Sequence, residues 1–276
     1  MLRERVSDNI YVFTSDLYAQ VTAGAIVTPE GAILVDSLPF PSETREMASF
    51  IPRVSPDGVR FVILTHYHAD HAYGSYLFPE AELISHQLCR RFLQERGYPA
   101  LEEAKAQEPL LEEVELRLPD VTFEDGRMAV QLAGEVIHLI WAPGHTEDLV
   151  MVYVEQDKVL FASDTMMPVP SIVDGNIGAF RRSLERIREL EINNMVQGHG
   201  EEQLVGEVNK TIDASLHYLD TIEERVDEAI ESGAGRDELR SHNIEDTGLS
   251  RLPLHGHVQQ IHIANLLSLY DRRTSG

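Results

Sequence analysis

The chain is nearly devoid of cysteine. Cys89 is the only one among 276 residues, so no intrachain disulfide can form, and this suits a reducing compartment. It sits in "HQLCRRF", a helix-like stretch, and reads as a buried, inert thiol. Long apolar runs are also absent. None approaches the roughly 18 residues that a membrane-spanning helix needs. The start, "MLRERVSDNIYVF", has basic residues with no apolar signal core behind them, so a cytoplasmic protein is expected. Positive charge is scarce: 23 Lys and Arg stand against 46 Asp and Glu, a formal charge of −23. Such a surface repels nucleic acid and anionic membrane unless basic residues gather in a patch, and none is visible. The expected partner is therefore a small molecule. What is present, 43% hydrophobic and 25% charged residues, is the balance of a globular chain long enough to bury a large core.

Along the chain, strands come first. "IYVF" and "GAIVTPEGAILVDS" predict consecutive strands with a hairpin at Pro29-Glu30-Gly31. "PFPSETREMASFIPRV" predicts a helix with Ser42 as its N-cap. "VRFVIL" and "AELIS" read as strands, "QLCRRFLQERG" as a helix closed by Gly97, and the acidic stretch 101–117 as helix-like. The second half repeats the theme: strands at "VTFEDG", "RMAVQLAG" and "EVIHLIWA", a hairpin in "LVMVYVEQDKVLFASD", then an amphipathic helix, "AFRRSLERIREL". From about residue 203 apolar residues recur at steps of three and four from Val205 to Ile230, which predicts one long one-faced helix ending near Gly233. "RDELRSH" and "HGHVQQIHIANLLSLY" predict more helix. Strands followed by helices in each half suit two sheets packed face to face with helices outside. The expected division is residues 1–202 for that α+β unit and 203–276 for a helical C-terminal extension that shapes the pocket or a homodimer contact.

The chemistry concentrates in "FVILTHYHADHAYG", residues 61–74, where His66, His68, Asp70 and His71 crowd six positions behind an apolar run. In an extended segment alternate side chains point the same way, so His66 and His68 present their imidazoles together. Imidazole with carboxylate suits Zn²⁺ and similar first-row ions. Four candidate ligands exceed what one catalytic zinc uses, and the excess suggests two metals. Further ligands are sought where other strands end: His145 in "PGHT", Asp164 in "FASDT" and His199 in "QGHG" each follow an apolar run beside small residues that let the backbone approach a crowded centre. Taken singly, Asp70 reads as a helix cap, and His145, Asp164 and His199 as loop or turn residues.

"THYHADH", "GHT", "SD" and "GHG", in that order over roughly residues 8–202, resemble the metallo-β-lactamase superfamily with its H-x-H-x-D-H signature. The resemblance implies a four-layer αββα sandwich. It also implies one metal on His66, His68 and His145, a second on Asp70, His71 and His199, and Asp164 bridging both. Two divalent ions per chain are expected, zinc first, with manganese, iron, cobalt or nickel as alternatives. Best-known zinc β-lactamases carry cysteine where this chain has Asp164, so the pattern is closer to the glyoxalase II and lactonase-like hydrolases. No glutathione-binding pattern is recognised in the C-terminal extension. The implied reaction is hydrolysis of an ester, lactone, thioester, amide or phosphoester by a metal-bridging hydroxide. Asp70 would be the catalytic residue that orients this nucleophile, and Thr146 and Asp148 would steady the imidazoles. The rivals are a mononuclear iron oxidoreductase resembling persulfide dioxygenases and a non-catalytic metal-binding sensor. His86 is read as a helix-start residue. His255, His257 and His262 are read as no metal site, although some could line the entrance. Met166, Met167, Pro168 and Pro170 are candidates to wall an apolar pocket, and Tyr67 and Tyr73 flank the ligands.

Overall fold

A computed structural model describes residues 1–275. The first sheet takes its strands in chain order: β1 (Leu2–Arg5), β2 (Ile10–Thr14), β3 (Thr22–Thr28), β4 (Gly31–Val35), β5 (Val59–Ile63), β6 (Glu82–His86) and β7 (Val121–Phe123). Its first four strands are antiparallel, and β4 to β7 run parallel. Parallel neighbours need crossovers. These carry the helices α1 (Pro41–Val54), α2 (Ala69–Ala72), α3 (Gln87–Phe92) and α4 (Tyr98–Gln107). The second sheet holds β8 (Arg127–Leu132), β9 (Glu135–Trp141), β10 (Val150–Val154), β11 (Val159–Ser163), β12 (Asn194–Gln197) and β13 (Gln203–Leu204), also in chain order. All its pairs are antiparallel except β11 with β12, which the helix α5 (Ile177–Ile187) connects. The chain closes with α6 (Val208–Ser232) and α7 (Val258–Thr274).

The period-2 rule for strands explains how four layers arise. In β4, Ile33 and Val35 face the other sheet, while Ala32 and Leu34 face Met47 and Ile51 of α1. In β10, Val150, Val152 and Val154 face the first sheet, while Met151 and Tyr153 face the helices on the far side. Both strands are buried at every position, because each lies between a sheet and helices. Each fully buried Ile, Leu or Phe in these layers contributes about 1.5–3 kcal/mol. Phe161 sits so close over Gly24 that a Cβ there would meet its ring at 2.2 Å, which only glycine allows. The result is an αββα sandwich of the α+β class. Ile212, Leu219, Ile222 and Val226 of α6 and Val258 and Leu266 of α7 share one core with Phe180 and Leu184 of α5 and the outer face of the second sheet.

Most local expectations agree with this architecture, and five are corrected. Ser42 is not the N-cap of α1; Pro41 occupies the first turn and Phe40 caps it through its backbone, as proline's fixed φ favours. Gly97 does not stop its helix. It has helical φ of −64°, and the chain continues through a π-turn into α4. The acidic stretch is helical only to Gln107, with a short 3₁₀ turn at Pro109–Leu111, since Pro109 removes a donor. "RDELRSH" forms a 3₁₀ turn, Arg236–Ser241. The last helix starts at Val258, because Leu254 and His255 adopt left-handed backbone (φ 55° and 53°).

Candidate metal centre

Four strands of the sandwich, β5, β9, β11 and β12, end at one edge, and the chemistry-bearing residues follow their carboxyl ends, where open sheets expose loops. After β5 the chain bends at His66 and Tyr67, is extended at His68, and then turns into α2 with Asp70 and His71 in its single turn. His68, not Asp70, stands at the N-cap, and no side chain caps that turn. Asp70 instead directs Oδ2 to His199 Nε2 at 3.2 Å, so the capping reading of Asp70 does not hold. His145 lies in the loop between β9 and β10, Asp164 directly follows β11, and His199 follows β12, where it bridges to Val21. Gly198 is indispensable beside it: a Cβ there would meet Asp164 Oδ1 at 1.9 Å.

The structure brings all seven sequence-selected residues together. His66, His68, His145 and Asp164 offer atoms within 4.8 Å of one another, and so do Asp70, His71 and His199. Asp164 stands between the two sets. Its Oδ2 is 3.3 Å from His145 Nε2 and 3.6 Å from His199 Nε2, and its Oδ1 is 3.3 Å from His71 Nε2. His145 Nε2 also lies 3.0 Å from His68 Nδ1. Five imidazoles and two carboxylates thus converge in one largely buried space.

The outward nitrogens explain how the rings are aimed. His71 Nδ1 meets Asp36 Oδ2 at 2.8 Å, His145 Nδ1–H donates to the Ser171 carbonyl at 2.9 Å, and His199 Nδ1–H donates to the Ala19 carbonyl at 2.9 Å. His66 Nδ1 faces the Thr65 hydroxyl at 3.1 Å. His68 is turned the other way, with Nε2 on Asp174 at 3.2 Å and Nδ1 inward. Anchoring one nitrogen fixes the tautomer and leaves the other nitrogen's lone pair toward the centre. Within that centre, Nε2 of His66 and of His71 and Oδ1 of Asp164 are buried and make no hydrogen bond. Buried polar atoms are seldom left so. Unpartnered lone pairs on imidazole and carboxylate are what a divalent cation takes, so the residues present fit such ions.

The electrostatics agree. Among the protein groups alone, burial pushes Asp164 and Asp70 up, yet the surrounding histidines outweigh it and hold both below the usual carboxylate range. Burial also opposes charge on His71 and His199, but Asp164 and Asp70 raise both above an ordinary histidine. Burial lowers His66 well below the usual value and His145 to about 4. Protons therefore share this site among themselves in the absence of metal, and metal binding would displace them.

Several surrounding residues escaped the sequence reading. Asp36 accepts from the Thr65 N–H at 2.8 Å and from its hydroxyl at 2.8 Å while holding His71. A signal for it existed: in "AILVDS" it follows an apolar strand run just as Asp164 does in "LFASD". Asp148 was expected to steady an imidazole, but its Oδ2 accepts the Tyr67 N–H at 2.8 Å and so shapes the loop between the ligands. Tyr67 points its hydroxyl to Asp174, and Tyr73 packs in the core. Of the pocket-wall candidates, Met167 lines the cavity above the cluster, while Met166 is buried in the core. His86 caps α3, accepting from the Leu88 N–H, as expected of a helix-start residue. His257 lines the entrance, whereas His262 is buried against Tyr218. Cys89 is buried, and burial pushes its thiol up, away from reactivity.

Fold and site together define an αββα scaffold with a His/Asp cluster suited to metal ions, and residues 18–199, well over half of the chain, match the family model described as the metallo-beta-lactamase superfamily. The chain belongs to that superfamily. It is 27% identical over 212 residues to the "Metallo-beta-lactamase type 2" of Bacillus cereus, covering 71% of this chain and 75% of that protein. It is 22% identical over 173 residues to the "Beta-lactamase-like protein 2 homolog" of Caenorhabditis elegans, covering 63% of this chain and 48% of that protein. This chain thus spans about half the length of the Caenorhabditis relative. Among solved structures, the stereoselective inverting sec-alkylsulfatase Pisa1 from Pseudomonas sp. superposes with a TM-score of 0.74 at 15% identity, over 98% of this chain and 50% of that one. That likeness covers the C-terminal helices as well as the sandwich, and it speaks for the fold. No helix among the described residues is long and apolar enough to cross a membrane.

Proposed function

We propose that the chain is a dinuclear metal-dependent hydrolase acting on a small molecule. His66, His68 and His145 would hold one ion, Asp70, His71 and His199 the other, and Asp164 would serve both. The observation that supports this reading is the set of buried, unpartnered inward atoms on His66, His71 and Asp164, aimed by partners on the outward nitrogens. A bound pair of divalent ions supplies an acidified water as nucleophile and a Lewis acid for the oxygen that gains charge. The chain's own part is orientation and proton handling. Asp70, at the floor of the open cavity, accepts a proton from the attacking water through its carboxylate and returns it to the leaving atom. The zinc, cytoplasmic and small-molecule expectations belong to the same proposal.

Elemental analysis of the purified protein tests it first. Near two metals per chain, together with hydrolysis of a carbonyl or phosphoryl ester, is the expected result. One iron per chain with no hydrolysis would replace the proposal with the mononuclear oxidoreductase. Asp164→Ala should lower metal content and hydrolysis together, since its two oxygens serve both sets. Full activity of that variant would refute the assignment.

A further inference from the structure

The cavity above the cluster, about 490 Å³, has a composition the metal ligands do not explain. Its upper walls are Leu17 and Tyr18 from the loop between β2 and β3, Met167, and Leu254 and Ile261 from the C-terminal segment. No Lys or Arg lines it among the described residues. The carboxylates of Asp70 and Asp164 lie at the floor. Polar groups at the rim include His257 and Gln260, and His257 Nδ1 lies 2.7 Å from Gln260 Oε1. Nδ1–H donates to that oxygen, which leaves Nε2 free to accept a bond from a neutral O–H or N–H.

A fixed anion away from the scissile bond would lie against the apolar upper walls with no Lys or Arg among the lining residues, at the desolvation cost of an unpaired buried charge. An aliphatic group would gain contact at the same place. We infer that the substrate is an uncharged acyl ester or lactone whose aliphatic acyl chain lies against Leu17, Tyr18, Leu254 and Ile261. The inference rests on the hydrolase reading above. The reaction balances without a redox partner: water's oxygen bonds to the acyl carbon, the acyl–oxygen bond breaks, and water's proton goes to the departing oxygen.

A matched pair of esters tests the inference on the metal-loaded protein. 4-Nitrophenyl pentanoate and the 4-nitrophenyl half-ester of glutaric acid have equal acyl length and differ only in a terminal methyl or carboxylate. The pentanoate should be preferred in kcat/KM by about tenfold or more. Leu17 is 52% exposed, so Leu17→Lys adds a cation to the rim without disturbing the core. That variant should shift the ratio toward the half-ester by up to roughly fivefold, the range of an exposed ion pair. Equal or faster turnover of the half-ester by the unaltered protein overturns the inference and leaves the hydrolase reading standing. No hydrolysis of either ester, nor of bis(4-nitrophenyl) phosphate, by protein carrying two metals per chain overturns both. Hydrolysis of the phosphodiester alone overturns only the acyl assignment.

Discussion

Asn265 should control metal affinity although it lies far along the chain from every ligand. Its side chain is fully buried in α7 and grips the loop after β11 from both sides: Oδ1 accepts from the Ile172 N–H at 2.9 Å, and Nδ2 donates to the Pro170 carbonyl at 2.6 Å. Between those anchors lies Ser171, whose carbonyl takes the Nδ1–H of His145. Nδ2 also donates to the Tyr218 hydroxyl, which is paired with His262, so α6 backs the clamp. Replacing Asn265 by Leu strands two buried groups, the Ile172 N–H and the Pro170 carbonyl, at about 1–3 kcal/mol each, while the Tyr218 hydroxyl keeps His262. Repacking of the leucine recovers part of this, so a net loss of roughly 2–4 kcal/mol is expected. A loosened Ser171 carbonyl no longer fixes the tautomer of His145, and loss of such an outer partner typically costs about 10–100-fold in metal affinity. The assay is competition with a chromophoric chelator, at a temperature where circular dichroism shows the variant folded. On the two-metal reading proposed above, the expected result is one weakened and one unchanged metal site. Two sites of unaltered affinity in a folded Asn265→Leu protein would refute the clamp and leave Asn265 a purely structural residue.

Two further outcomes follow from the same geometry. Gly198→Ala forces a methyl against Asp164 Oδ1 and against the backbone of Ser163 and Asp164, which real Cβ atoms cannot approach so closely. It should cost about 1–3 kcal/mol as overpacking and lower metal content; thermal unfolding with and without chelator, with a metal count, checks both. Burial raises the Asp148 carboxyl from 3.8 to about 6. The folded chain then holds a proton that the unfolded chain has already released, so stability falls as pH rises from about 4 through about 6. A two-unit shift corresponds to about 3 kcal/mol. In metal-stripped protein, Asp148→Asn keeps an oxygen for the Tyr67 N–H, so it should flatten that slope and stabilise the fold at pH 7 by up to ~3 kcal/mol while changing little at pH 4. Denaturant unfolding at several pH values measures it, and destabilisation by Asp148→Asn at pH 7 would contradict the reasoning.

What was readable in the chain, and what was not, divides along a physical line. The strands were readable because a half-buried sheet imposes period two, and α6 because its apolar face recurs at three and four. The crowding of His66, His68, Asp70 and His71 was readable directly, whereas His145, Asp164 and His199 read singly as loop or turn residues and joined the set through the ordered motifs that resemble the superfamily. Helix ends were read less well: Ser42 carries a good capping side chain, but Pro41 pre-empted the position, and Gly97 has the flexibility to stop a helix without being required to. The residues that aim the rings were missed almost entirely. Two of them, Ala19 and Ser171, act through backbone carbonyls, for which any side chain would serve. Asn265 looks like an ordinary polar residue within "HIANLLSLY".

The backbone around the centre shows why those outer groups matter. Ala19, Gln20, Asp36, Leu38 and Ser163 all adopt left-handed φ without being glycine, a conformation that costs roughly 1–2 kcal/mol per residue. Four of the five adjoin the centre: Ala19 presents the carbonyl for His199, Gln20 accepts from Gly200 and from the Leu254 N–H, Asp36 holds His71, and Ser163 delivers Asp164. Such strain persists only where the surroundings over-determine it. Here the surroundings are the two sheets and the C-terminal helices packed into a common core with the second sheet. Leu254, held by Gln20, also walls the cavity. The segment beyond residue 203 is thus tied to both ring orientation and pocket shape. It follows that a chain with the same seven residues and a different C-terminal segment would lose the Asn265 clamp on the Ser171 loop together with the Leu254 wall, and so would change metal affinity and pocket shape at once.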